Sequence, residues 1–444
     1  MPTLPTDVVA RLTAALEPVD AALAARHPGD TGARQPVHTC YLPADQMFPG
    51  VVPAWGERAH ALLATYGAEP ATLAAATGGD PRPDVAAAVY AHTTHALTVE
   101  PIQDLRVDLE DGYGLRPDGA EDADAVNAAE ALRAAAAAGM LPARYGLRPK
   151  SLDPLVRTRG LRSLDLFLTA LAGADGPPPG LVLTLPKVSD ARQLRVFADV
   201  LAELERRLGL APVGIEVQVE TPAAVLALPA LVRTGLELGP GRLVGLHVGT
   251  YDYSAALGVT AAHQASDHPA VEYATTMMQL AAAGTGIHVA DGSSNLLPVD
   301  GDERAGASGD DVRRAWRRHA ELVRRAWHRG LYQGWDLHPG QLVSRHAAVA
   351  GCLLAGLDGA LARLAAYAAA RQSGAVADEP ATGRALAGHV LRALDAGVLD
   401  DPRLAAAGLD RATVARLGGR RTHNSTTTND HTRHGKPNAK SHLH

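Results

Sequence analysis

Gly214-Ile-Glu-Val-Gln-Val219 and Leu243-Val-Gly-Leu-His-Val248 are two short β-branched runs, each closed by turn residues, which is the pattern of a buried strand. Glu220 follows the first directly, in Val219-Glu220-Thr221-Pro222, and Asp252 follows the second, in Gly249-Thr250-Tyr251-Asp252-Tyr253. Between them Pro222 to Leu236 is rich in Ala and Leu at helical spacing, so the unit reads strand, helix, strand, with both acids at the carboxyl ends of parallel strands. Ligands bind at that end of an α/β sheet or barrel. Two hard oxygen donors on neighbouring strand ends suit Mg²⁺ or Mn²⁺, which keeps its other positions for water and substrate oxygens. The spacing is equally open to a plainer reading, in which one acid caps the following helix and the other is a surface loop residue.

Outward from this unit the same alternation continues. Strands are expected at Val37–Leu42, Leu105–Asp108, Arg144–Arg148, Leu181–Leu185, Gly286–Ala290 and Leu331–Trp335, with helical stretches between nearly all of them. With the two opening strands this makes eight, the count of a (β/α)₈ TIM barrel. A doubly wound open sheet fits less well, because no strand runs into a GxGxxG turn. The barrel is placed at residues 37–345. An N-terminal helical segment, residues 1–36, precedes it, with a helix over Thr6–Arg26. A helical insertion after strand 1, at about 50–100 and broken by the turn Gly78–Pro83, is long for a connection and is expected over one end of the core. A helical C-terminal extension, 346–418, suggests a subunit contact or a lid. The polar, His-rich tail 419–444 cannot bury a core and is expected to be disordered.

Hydrophobic residues make up 46% of the 444 and charged residues 20%, ordinary values for a globular chain, and the formal charge is −6. Without a basic stripe, nucleic acid is not an expected partner. Cys40 and Cys352 stand alone, outside any disulfide framework or Cys/His zinc spacing, which fits a reduced, cytoplasmic protein. No run of about 18 apolar residues calls for a membrane. Lysine occurs only at 150, 187, 436 and 440, so Lys150 and Lys187 stand out in an Arg-rich body.

Taken in order over residues 37 to 345, these elements resemble the HpcH/HpaI aldolase and citrate lyase β-subunit family of the phosphoenolpyruvate/pyruvate-domain barrels. Tyr41-Leu-Pro-Ala-Asp45 is similar to that family's first-strand FVPGD element, Val107-Asp-Leu-Glu-Asp111 to its DLED, Arg148 to its strand-three arginine and Leu185-Pro-Lys187 to its LPK. Glu220 and Asp252 resemble its two metal ligands, and His338-Pro339 with Gln341 its closing HP-x-Q. The chain departs from the pattern where Arg148 is followed by Pro-Lys, in the 50–100 insertion and in the long C-terminus.

The resemblance implies a Mg²⁺-dependent carbon–carbon lyase of aldolase or citryl-type character, working through a metal-stabilised enolate on a small oxo- or hydroxy-acid or its CoA thioester. Glu220 and Asp252 would hold the ion, with Gly249 and Thr250 lining the substrate. Arg148 would clamp a carboxylate or the enolate oxygen through two parallel hydrogen bonds, or be paired structurally with Glu110 or Asp111. Those two acids would lie beside the metal or be solvated loop residues, the plainer role fitting Asp111 better. Lys187 would orient the site by charge, the role the resemblance favours, or form a Schiff base. Lys150 is expected to face solvent. Asp336 and His338 are the candidates for a general base, and His92, His95, His247 and His288 for packed histidines. Asp291-Gly-Ser-Ser-Asn295 reads as a turn in preference to an anion-binding loop. The rivals are malate synthase-like condensation of an acyl-CoA with a 2-oxo acid, phosphoryl transfer, for which no P-loop or phosphohistidine domain is seen, and a barrel turned to binding or regulation. A homo-oligomer is the expected assembly.

Overall fold

Eight parallel strands, β1 (His38–Pro43), β2 (Asp104–Asp108), β3 (Arg144–Arg148), β4 (Leu181–Leu185), β5 (Gly214–Val219), β6 (Leu243–Val248), β7 (His288–Ala290) and β8 (Gly334–Asp336), lie in hydrogen-bonded order β7-β6-β5-β4-β3-β2-β1-β8. The ring is drawn together between β7 and β8. A parallel bridge joins Ala290 to Gln333, Asp291 N–H donates to Gln333 O at 2.8 Å and Trp335 N–H donates to Gly292 O at 3.3 Å. The computed structural model describes residues 3–373 and 379–420. The fold is the TIM-like barrel that the alternation indicates.

Strands give way to helices abruptly at the carboxyl end because the linking residues are good caps. Thr221 Oγ1 accepts from Ala224 N–H at 3.0 Å with Pro222 opening the helix Pro222–Glu237, and His338 accepts from Gly340 N–H before the helix Pro339–Leu354. β7 and β8 are shorter than expected. Gly286 and Gly330 sit at φ of 80° and 82°, conformations that interrupt extended chain just ahead of each strand.

The barrel interior is polar. Strand alternation turns Leu105 and Val107, or Ile215, Val217 and Val219, toward the surrounding helices, and Asp104, Arg106, Asp108, Glu216 and Gln218 toward the axis. Arg106 is fully buried and holds this column together, donating to Asp104 at 2.9 Å, to Glu216 at 2.9 Å and to Val182 O at 2.8 Å. Gly146 on β3 leaves it room, since a Cβ there would come within 2.6 Å of the guanidinium. Burial alone would raise Glu216; Arg106 first and His247 second outweigh it and hold the carboxylate far below its usual range.

The insertion after β1 forms the helices Val51–Tyr66, Pro70–Thr77 and Pro83–Val99, and it lies along the flank rather than over an end. It packs on Gly309–His328 and Pro339–Leu354, with Arg324 donating to Thr77 O at 2.8 Å and the Tyr66 ring edge-on to Trp316. Its apolar faces are consumed by those two helices, so nothing is left to cap the barrel. The helices after Leu357 build a second core with Val37, Val323 and Trp327. Arg392 stacks 3.7 Å over Tyr332, just ahead of β8, and Arg420 pairs with Asp30 and Asp395. This is the amino end of the strands, so the extension is not a lid on the acid-bearing end. Of the tail 419–444 read as disordered, Gly419 and Arg420 are ordered, one capping the last helix and the other held by Asp30 and Asp395, and residues 421–444 lie outside the described residues. Among those described, no single helix is long and apolar enough to cross a membrane; a bent pair, Pro339–Leu354 with Leu357–Ala370, reaches that only jointly.

Candidate active site

The parallel register sets Asp108 of β2 beside Arg148 of β3, and Val219 of β5 beside Val248 of β6. Arg148 Nε donates to Asp108 Oδ1 at 2.7 Å and Nη2 to Oδ2 at 2.6 Å, a side-on fork. Asp108 also accepts from Glu110 N–H at 2.9 Å and Gly112 N–H at 2.8 Å, so one carboxylate fixes both the arginine and the turn that carries Glu110 and Asp111. The structural partner of Arg148 is therefore Asp108, in preference to Glu110, which is 3.9 Å away, or Asp111. Nη1 reaches Gln218 Oε1 at 3.3 Å. Of the five guanidinium N–H groups, three are thus engaged, leaving two directed elsewhere. Below it lie the Tyr41 ring, 4.6 Å away, and the Trp335 ring, 5.9 Å away.

One step past β5, Glu220 is buried. Its Oε1 accepts from Lys187 N–H at 2.6 Å and its Oε2 from Gln218 at 3.2 Å. Burial pushes Glu220 up to about 7, with Lys187 and then Arg148 pulling the other way. Gly249, facing it from β6, is needed as clearance: a Cβ would overlap the Glu220 side chain. Asp111, Glu220 and Asp252 each present an oxygen within 4.8 Å of the others. Asp111, the acid for which a plain loop role fitted better, is thus the third carboxylate, while Glu110 stands behind it. Burial pushes Glu110 up to about 8 against the pull of Arg148.

Lys187 is drawn into this cluster. Its Nζ lies 2.9 Å from Asp111, 3.0 Å from Asp252 and 3.1 Å from Glu110. Its backbone is in the left-handed region, φ 51°, a strained choice for lysine that aims the N–H at Glu220 while the side chain enters the acids. Burial would lower its pKa, but Glu220 and Glu110 outweigh it and hold the ammonium charged. A charged amine is a poor Schiff-base nucleophile, which tells against that role.

Asp111, Glu220, Asp252 and Arg148 border a cleft of about 600 Å³ at the carboxyl ends of the strands, closed on the far side by Thr250, Tyr251, Ser293 and Asn295. The segment 291–295 is a wall: Asn295 N–H is taken by the Tyr251 hydroxyl at 2.7 Å. Three expectations need correction. Lys150 is buried, donating to Leu109 O at 2.7 Å and paired with Glu121 at 2.9 Å, because it ties the β2 turn to the next helix. Asp336 points away from the axis, between His38 at 2.8 Å, Arg345 at 2.8 Å and His319 at 3.2 Å, and does not reach the cleft. His338 caps a helix and pairs with Glu303 at 2.9 Å, outside the cleft lining. Among the described residues no histidine lines the cleft. Asp108, Gln218, Tyr41 and Trp335 were not singled out as site residues, although each stands at an inward position of its strand, the one signal that could have found them.

The family model described as Domain of unknown function (DUF6986) matches residues 16–422. None of the curated proteins matches. Among solved structures, a citrate lyase from Burkholderia xenovorans LB400 is 20% identical, covering 77% of this chain and 93% of its own, with a TM-score of 0.49. A Haloferax volcanii malate synthase in a magnesium and glyoxylate complex is 17% identical, covering 71% and 76%, with a TM-score of 0.46. The native Haloferax volcanii malate synthase at 3 mM glyoxylate is 16% identical, covering 87% and 97%, with a TM-score of 0.48.

Proposed function

Since this chain belongs to the DUF6986 family, a domain of unknown function, we propose its activity from the site itself: a Mg²⁺- or Mn²⁺-dependent carbon–carbon lyase acting on a small 2-oxo or hydroxy acid or its CoA thioester. The observation that carries this reading is the convergence of Asp111, Glu220 and Asp252 beside Arg148 at the carboxyl end of a barrel. The donor set fits the ion, being all hard carboxylate oxygens, one of them buried and costly to ionise without a cation beside it. When bound, the ion would supply Lewis acidity to the substrate's carbonyl and carboxylate oxygens.

The chain's own residues do the rest. Arg148, held flat by Asp108 and the Tyr41 ring, has two N–H groups left to orient a carboxylate or meet negative charge developing on an oxygen. Tyr41 and Trp335 form an apolar floor that keeps water from that face. Glu110, buried behind Asp111 and 3.1 Å from Lys187, and Glu220 are both pushed up toward neutral pH by burial and are the carboxyls able to hold or release a proton there. The resemblance of the ordered motifs to the citrate lyase β-subunit family supports the same chemistry.

A second reading has one observation in its favour. Lys187 Nζ already neutralises Asp111 and Asp252, as it would in a barrel that keeps a cation of its own and binds ligands without a divalent ion. Calorimetric titration of metal-stripped protein with Mg²⁺ and Mn²⁺, with and without pyruvate, oxaloacetate or glyoxylate, separates the two. The lyase reading expects metal binding that tightens with a 2-oxo acid and disappears in a Glu220→Ala/Asp252→Ala variant. Equal indifference of both proteins to metal overturns it.

A further inference from the structure

The helix Thr6–Arg26 buries none of its residues, yet carries an apolar stripe. Val9, Leu12, Leu16, Val19 and Leu23 follow one another at steps of three and four, all about half exposed. Such spacing puts them on one face of the helix, the arrangement of a helix that meets a partner. A helix of this length standing free in water is marginal, since helices in proteins take most of their stability from packing of that face. Its carboxyl end is tied to the body, where His27 Nδ1 bonds to Ala283 O at 3.1 Å and Gly29 N–H donates to Gly284 O at 2.8 Å.

Beside that anchor lies an apolar groove of about 300 Å³ between the helices Pro222–Glu237 and Pro269–Ala282, bordered by Pro229, Val232, Leu236, Met277, Leu280 and Ala281. Leu280 is 71% exposed. Charge also matches across the two surfaces. Arg26 and Arg233 flank the groove and, like Glu17 and Asp20, next to Leu16 and Val19 in the helix, are in no ion pair among the described residues.

We propose that the N-terminal helix is an exchanged arm: its apolar stripe docks in the groove of a second copy of this chain, with Glu17 and Asp20 facing the second copy's Arg233 and Arg26. The chain thus bears both halves of a self-complementary contact, and a twofold arrangement satisfies two stripes and two grooves at once.

The test uses the full chain. Sedimentation velocity should give the mass of two 46.1 kDa chains for the wild type. Leu16→Glu in the stripe and Leu280→Glu in the groove, both at exposed positions, should each shift it to one chain without altering the circular dichroism spectrum. Mixing Leu16→Cys with Leu280→Cys variants under mild oxidation should yield a cross-linked dimer that neither gives alone. A monomeric wild type overturns the proposal, whether or not it binds anionic phospholipid vesicles. So does a dimer that survives both substitutions, or one dissociated by Leu16→Glu but not by Leu280→Glu, which would mean that helices pair with each other.

Discussion

Gly249 and Glu220 form one unit, because the carboxylate occupies the space a side chain on Gly249 would need. Gly249→Ala should leave the barrel folded but tilt Glu220 out of the cluster, weakening Mg²⁺ binding at least tenfold by calorimetry. Glu220 also sets a pH dependence. Its carboxyl stands at about 7 when folded, above the unfolded value of 4.5, so the folded state holds the proton more tightly. Stability from this source is full below 4.5 and is lost as pH rises through 7, by about 3 kcal/mol. The melting temperature of metal-stripped wild type, compared with Glu220→Gln over pH 5 to 8.5, should fall more steeply with rising pH in the wild type, the decline shared by both coming from Glu110. Glu220 and Asp252 are legible in advance because each is the first acid after a strand run, Glu220 directly and Asp252 after Gly249-Thr250-Tyr251. The role of Asp108 is not legible in its strand, since the Asp108–Arg148 pair exists only through the parallel register of β2 and β3, and one strand's residues do not encode its neighbour's register.

Strands β2 and β5 show how much an element can say in advance. Asp-Leu-Arg-Val-Asp and Ile-Glu-Val-Gln-Val-Glu alternate strictly, which marks strands with two unlike faces. The alternation does not reveal that both faces are buried, the polar one against the barrel axis instead of against water. Breaking that packing is costly: Arg106→Met leaves Asp104 and Glu216 uncompensated and should cost about 3–5 kcal/mol in urea unfolding. Strand β7 starts later than its apolar run because Gly286, at φ 80°, is already turning, and β8 starts only at Gly334 although the apolar pattern begins at Leu331. The turn after β2 owes its shape to Asp108, which accepts from Gly112 N–H within the turn, and to Lys150, which reaches Leu109 O from 41 residues away in the chain.

Across the molecule, the acids lie at one end of the strands and the second core at the other. Ending the chain after Leu354 should expose Val37, Val323 and Trp327 and produce a protein that melts at lower temperature and binds a hydrophobic dye, the whole barrel responding even though the cleft is untouched. The order of the eight strands and the carboxyl-end position of the acids could be read from the alternation alone. The placement of the insertion and the extension could not, because Ala-rich helices state that a face is apolar without naming the surface it meets. The column of paired charges along the axis has an evolutionary consequence. Where a buried charge loses its opposite, a single replacement is penalised more than a matched double replacement. Across homologous sequences, positions 106 with 216 and 108 with 148 should therefore change together, and independent drift at either pair would mean the column is dispensable.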